Sequence, residues 1–301
     1  MKTNKPSYTA IFVANGVWWV TNHQKLSVEV PELMGNLNME MVKHINSWPF
    51  TLQNIIGRWL LQMKMSLMQK LSMPGLYLHY VVRKRCIGEF VRAAINNGAE
   101  QLIVVGAGFD TLSLEIANEY PDLTIIEIDH PATQVWKRKA LKSLDQRFNN
   151  HHLLSLDLTR DTMQAVLLRN EHYDRNKSSA FLAEGLLMYL TETEVREILN
   201  FINGNSGLGS RFIFTYMEER TKGNYQFKNA SSLTNWWLKV KREIFTWGLR
   251  NDQLGPFLKE AGFRLLECIT HRELRAEFIS DINSDAHLAI GENIAVAQLD
   301  P

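Results

Sequence analysis

The chain has 301 residues, 45% of them hydrophobic and 22% charged, with a formal net charge of +1, a composition that excludes a wholly disordered or fibrous chain. Near-neutrality argues against a nucleic-acid partner, because the basic runs Arg83-Lys84-Arg85 and Lys137-Arg138-Lys139 are short and read as solvated helix faces. Cys86 and Cys268 stand far apart without ligand spacing, so no metal site and a reducing, cytoplasmic setting are expected.

In chain order, Lys2 and Lys5 ahead of an apolar stretch at 8–20 imitate a secretion signal, but Asn15 and Gly16 interrupt it and no small-x-small site follows, so a structural helix is expected. No run reaches the ~20 apolar residues of a membrane span, and no membrane partner is expected. Residues 1–80 show helical patterning rich in methionine, including Met34, Met39, Met63, Met65 and Met68. Thioether side chains conform to varied shapes, so this segment reads as a helical cap or lid. The main domain is assigned to residues 81–301. A helix is expected over 81–96, and short apolar runs then alternate with helical patterns, the signature of βαβ units and a parallel sheet. Strands are placed at 101–105, 123–128, 152–156, 179–183, 211–216, 264–270 and 293–299, and helices at 111–119, 131–143, 161–169, 191–202 and 252–261. Pro131 suits a first helical turn, and Thr191 with Glu194 makes a capping-box pattern. An aromatic-rich insertion at 217–250 holds Tyr225, Phe227, Trp236, Trp237 and Trp247 at the carboxyl edge of the sheet, where it can shape a pocket. No helix is read between the last two strands, which are expected to form a closing antiparallel hairpin.

Val104-Val105-Gly106-Ala107-Gly108-Phe109-Asp110-Thr111 reads as a strand entering a glycine turn and then a helix. About 20 residues later, Glu127-Ile128-Asp129 ends a strand in acid, where a carboxylate takes both hydroxyls of a ribose. The pair indicates an adenosine-type cofactor. A dinucleotide fingerprint needs a third glycine to bring the helix amino end to the pyrophosphate, and Thr111 stands there instead. A nicotinamide-dependent oxidoreductase is thereby disfavoured and S-adenosylmethionine preferred, with Arg83 and Asp157 as candidates for its carboxylate and adenine.

The set Tyr80-Val81-Val82-Arg83, Gly106-Ala107-Gly108-Phe109-Asp110-Thr111, Glu127-Ile128-Asp129-His130-Pro131, Asp157-Leu158 and Ala183-Glu184-Gly185-Leu186-Leu187-Met188-Tyr189-Leu190-Thr191 resembles the leucine carboxyl methyltransferase family. Within it, the likeness is to the bacterial branch of small-molecule and polyketide O-methyltransferases, strongest over residues 80–200. The resemblance implies an α/β, Rossmann-like, seven-stranded class I methyltransferase sheet with helices on both faces beneath the helical N-terminal cap. It also implies roles: Arg83 on the cofactor carboxylate, Gly106 and Gly108 on the methionine part, Asp129 on ribose, Asp157 and Leu158 on adenine, Glu184 beside the methionine end. Asp110 joins this set as a helix-start residue aiding the turn. After Asp110-Thr111 the family often has arginine; this chain has Leu112, so whatever that arginine bonds must be satisfied differently.

Methyl transfer from a sulfonium is an in-line displacement, so holding nucleophile and methyl carbon aligned and dry is the main task. A carboxylate is ionised at pH 7, whereas a phenol near pKa 10 benefits from a base. No His-carboxylate pair announces such a base, which favours a carboxylate on a small, largely apolar acceptor. Hydroxyl or phenol acceptors, a peptide carboxyl terminus and a non-catalytic binding module are the rival expectations. Trp19, Tyr189, Tyr225, Trp236 and Trp237 are the pocket candidates, and Tyr189 the only catalytic one. Oligomeric state is left open.

Overall fold

A computed structural model describes residues 8–22, 30, 34–36, 38–40, 55–143, 148–157, 161–231, 244–279 and 286–300. Consecutive side chains of a strand point to opposite faces, and the central strands divide their apolar residues between two cores accordingly. Strands β1 (Gln101–Val105), β2 (Thr124–Asp129), β3 (His151–Ser155), β4 (Ser179–Ala183) and β5 (Arg211–Glu218) run parallel. Ile103, Val105, Ile126, Ile128, Phe181, Phe212 and Phe214 face one core with the helices that flank them. Leu102, Val104, Ile125, Ala180, Leu182 and Ile213 face the other.

The first side is covered by α6 (Met163–Leu167), α7 (Glu192–Gly204) and α8 (Asn251–Glu260), through Leu167, Ile198, Leu199, Leu254 and Leu258. The second is covered by α3 (Leu76–Asn96) and α4 (Leu112–Glu119) through Val82, Ile87, Val91, Leu112 and Ile116. Helix α5 (Pro131–Ser143) follows β2. Helix α7 begins in the capping box of Thr191 and Glu194 that the sequence announced.

The sheet order is β3-β2-β1-β4-β5-β8-β7, with β8 (Glu292–Leu299) antiparallel to both β5 and β7 (Phe263–Ile269). An eighth, two-residue strand β6 (Gly248–Leu249) pairs with the end of β5 and was not expected. The β7–β8 connection also departs from expectation, because it contains α9 (His271–Phe278), started by a capping box of Thr270 and Glu273. Helix α1 (Tyr8–Thr21) is bound into a third apolar cluster, where Val17, Trp18, Trp19 and Val20 pack with Tyr77, Tyr80 and Val81 of α3. Helix α2 (Ile55–Ser72) lies against α1. Among the described residues, no helix is long and apolar enough to cross a membrane.

Candidate active site

The carboxyl ends of β1, β2 and β4 open into a cavity of about 710 Å³. Leaving β1, the chain turns through Gly106 and Gly108 at φ of 70° and 53°, a region that costs other residues about 1 kcal/mol or more. The Gly106 amide donates to the Ile128 carbonyl at 2.8 Å, fastening the turn to β2. A Cβ on Gly106 would stand 2.9 Å from the Leu186 side chain, whereas one on Gly108 would meet nothing nearer than Ala10 at 3.6 Å. Gly106→Ala is therefore expected to lower both melting temperature and cofactor affinity more than Gly108→Ala does. Equal behaviour of the two variants in thermal and calorimetric titrations would refute this ranking.

Asp129 closes β2, and its carboxylate accepts from the amides of Gly108 and His130. Burial pushes its pKa above the usual range, while each oxygen retains a further lone pair for a diol. Beyond β3, Asp157 lies 3.6 Å from His130 Nε2. The Ala132 amide donates to His130 Nδ1 at 3.2 Å, so the ring proton of the neutral imidazole sits on Nε2, toward Asp157.

At the other end lies a buried charge network. Arg83 donates through Nε and Nη2 to Glu184 Oε1, at 2.9 and 2.6 Å, and through Nη1 to Glu292 on β8. Lys84 Nζ bridges Asp110 at 2.7 Å and Glu184 at 3.0 Å, and His79 Nε2 stands 3.3 Å from Glu292. Arg83 and Lys84 thus face the carboxylates of Asp110, Glu184 and Glu292, with the His79 ring also against Glu292. Against burial, which opposes charge, Arg83 and His79 hold Glu292 down at about 2. Likewise against burial, Glu292 and Glu184 raise Arg83, and Asp110 and Glu184 raise Lys84.

The basic runs are solvated only in part: Arg138 and Lys139 are exposed as expected, but Arg83, Lys84 and Lys137 are 4%, 6% and 1% exposed. Charges are buried there because carboxylates and carbonyls meet them. Lys137 Nζ donates to the Asp110 carbonyl at 2.6 Å and pairs with Glu127 at 2.6 Å. Leu112, where the family often has arginine, packs in the apolar core beside Gly88, and Lys84 supplies the cation that Asp110 receives.

Arg83, Gly106, Gly108, Asp110, Asp129, Asp157, Glu184 and Tyr189 all line the cavity. Phe227 of the aromatic insertion lines it too, as do Tyr80, Lys84, Met188, Phe245 and Glu292, which sequence reasoning had not placed in the site. Phe245 lies 5.4 Å from the Tyr189 ring and 5.8 Å from Phe227, forming an aromatic wall. Trp19 is not on the lining; its indole turns away to donate to Ser66 Oγ at 3.2 Å, with Tyr77 at 5.5 Å. Tyr225 is also off the lining and packs beside Gly248. Leu158, Trp236 and Trp237 lie outside the described residues.

A glycine turn leaving β1, an acid ending β2 and an antiparallel strand inserted beside β5 define the class I methyltransferases. The family model for leucine carboxyl methyltransferase matches residues 40–203, more than half of the chain, and the protein belongs to that family. It is 28% identical over 221 residues to a protein of Mycobacterium avium (strain 104) that bears the name of an S-adenosyl-L-methionine-dependent methyltransferase, covering 72% of this chain and 69% of that one. YktD of Bacillus subtilis (strain 168), similarly named, is 30% identical over 123 residues, 40% of each chain. A solved Thermobifida fusca methyltransferase structure superposes with a TM-score of 0.57 at 14% identity, covering 99% of this chain and 96% of that chain. A DUF574 family protein of Streptomyces avermitilis gives 0.54 at 12% identity, covering 98% of each. These two establish likeness of fold.

The protein is an S-adenosylmethionine-dependent methyltransferase. Its residues fit that cofactor. Three of the five N–H groups of Arg83 meet Glu184 and Glu292, leaving two for a carboxylate.

Proposed function

We propose that the chain methylates a carboxylate oxygen of a small, largely apolar acceptor. In this reading Arg83 and Glu184 hold the amino-acid end of the cofactor, Asp129 the ribose and Asp157 the adenine, while the cofactor supplies an electrophilic methyl group. The aromatic wall of Tyr189, Phe227 and Phe245, with Met188 and Val13, houses the acceptor and keeps water from it. Residues 1–80 act as its cap.

The observation that carries the reading is that the acids and the histidine around the described lining are held by other groups. Its one histidine, His130, makes with Asp157 a His-carboxylate pair that the sequence did not announce, but the Ala132 amide occupies its Nδ1 and its Nε2 faces Asp157, so neither ring nitrogen is turned to an acceptor. Asp110, Glu184 and Glu292 are tied to Arg83 and Lys84, Asp129 accepts from two amides, and Glu194 caps α7 through Thr191. Burial raises the Tyr80 phenol well above its ordinary value, so it is no base at neutral pH. A nucleophile already ionised suits such a site, and a hydroxyl does not.

The expected result is a log kcat/KM that stays flat from about pH 6 to 8, since neither acceptor nor enzyme must lose a proton there. The product should be a methyl ester, cleaved by mild alkali. A rate that climbs through about pH 6.5, together with an alkali-stable ether, would assign a hydroxyl acceptor and overturn the carboxylate while leaving the methyltransferase in place.

A further inference from the structure

Helix α2 has one side packed on α1 and one side exposed. Met65 is buried, and the Trp19 indole of α1 donates to the Gln62 carbonyl at 3.3 Å and to Ser66 Oγ at 3.2 Å. On the opposite side Trp59, Leu60, Met63, Leu67, Met68 and Leu71 are 41% to 59% exposed, six of the ten large apolar side chains so exposed among the described residues. Positions 59, 63, 67 and 71 recur every fourth residue and form a single stripe, which Leu60 and Met68 broaden. Lys64 and Lys70 are exposed on the same side. The 18 residues of the helix include a third cation, Arg58, and no Asp or Glu.

We propose that α2 seats this protein on the surface of an anionic lipid bilayer. Its apolar stripe would lie at the acyl boundary, and its lysines would reach headgroup phosphates through their flexible stems. A second copy of the chain fits the same face poorly. A second copy would bring its own Lys64 and Lys70 to the same face, and the helix holds no carboxylate to offset them. An uncharged apolar partner would leave both lysines without a counterion. The expectation of no membrane partner considered spanning segments alone. Only the packing of α2 on α1 reveals that this stripe faces outward. Helix α1 contributes Ala10, Val13 and Ala14 to the cavity lining, so the lipid surface would lie one helix away from the site.

The test is co-sedimentation of the full chain with vesicles of phosphatidylcholine alone and of phosphatidylcholine mixed with phosphatidylglycerol. The protein should pellet with the mixed vesicles and be released as salt is raised. Lys64→Gln and Lys70→Gln should each weaken that binding about fivefold without altering the weak binding to phosphatidylcholine. The pair Leu60→Gln and Leu67→Gln should abolish binding to both, with the melting temperature unchanged because the sites are exposed. A wild-type protein that stays in the supernatant overturns the proposal, as does equal pelleting with both compositions. Light scattering that finds a dimer, made monomeric by the leucine pair, would assign the face to a second copy instead.

Discussion

Arg83→Ala should lose most of its affinity for S-adenosylmethionine and, in the same variant, a large part of its fold stability. Read from sequence, Arg83 is a surface residue of a helix unless a ligand needs it, and its removal costs little stability. The structure reverses that expectation, because Arg83 is buried between Glu184 and Glu292. Taking away one partner of a buried ion network leaves the others unpaired, at a cost of about 3–5 kcal/mol. Loss of a charge-assisted contact to the ligand carboxylate adds roughly 1.5–3 kcal/mol to the binding free energy, or about ten- to hundredfold in affinity. Arg83→Lys separates the two effects: it keeps the charge but not the planar fork, so it should recover more stability than affinity. Urea melts with calorimetric titration of both variants decide the matter. Wild-type melting and binding in Arg83→Ala would remove Arg83 from the site.

Lys137→Met should destabilise the fold by a similar amount, about 3–5 kcal/mol at neutral pH, though no ligand need touch the residue. Lys137 is 1% exposed, paired with Glu127 and bonded to the Asp110 carbonyl that ends the glycine turn. Without it Glu127 keeps only Ser113 and, 3.1 Å away, His151. The pH dependence gives a second reading. Burial opposes its charge, yet Lys137 and His151 hold Glu127 down at about 2 against an ordinary 4.5. A folded-state pKa below the unfolded one contributes stability above the unfolded value, and that stability is lost as pH falls through the folded one. Wild-type stability should thus drop between about pH 4.5 and 2, with Glu292 following the same course. The deficit of Lys137→Met should narrow over that interval. A deficit that does not change with pH would mean that the lost packing of the lysine stem, not its charge, is what matters.

The sheet was legible because its signals are local. Strands β1 and β4 lie where uniform apolar runs end in glycine or acid, and α5 begins at Pro131 as its fixed φ favours. Helix α9 was not legible from periodicity, since it buries only Leu274; the spacing of Thr270 and Glu273 was the available signal. Among the expected residues that line the cavity, Gly106, Gly108, Asp129 and Glu184 were the most legible, because their motifs sit at strand ends. Lys84 was hidden inside a charged run, and no local pattern tells which turn of α3 faces β4. Glu292 is 209 residues from Arg83, a pairing fixed by the insertion of β8 beside β5.

That insertion also has a meaning in time. During synthesis the guanidinium of Arg83 and the carboxylate of Glu184 emerge long before Glu292 does, and β5 waits with an open edge. Contacts of such long sequence separation form late, because loop closure must precede them. A nascent chain therefore has Asp129 and its glycine turn early but completes the opposite end of the cavity only when β8 docks. Cofactor captured with full affinity would then report that the whole sheet has assembled, making ligand binding a check on the final step of folding.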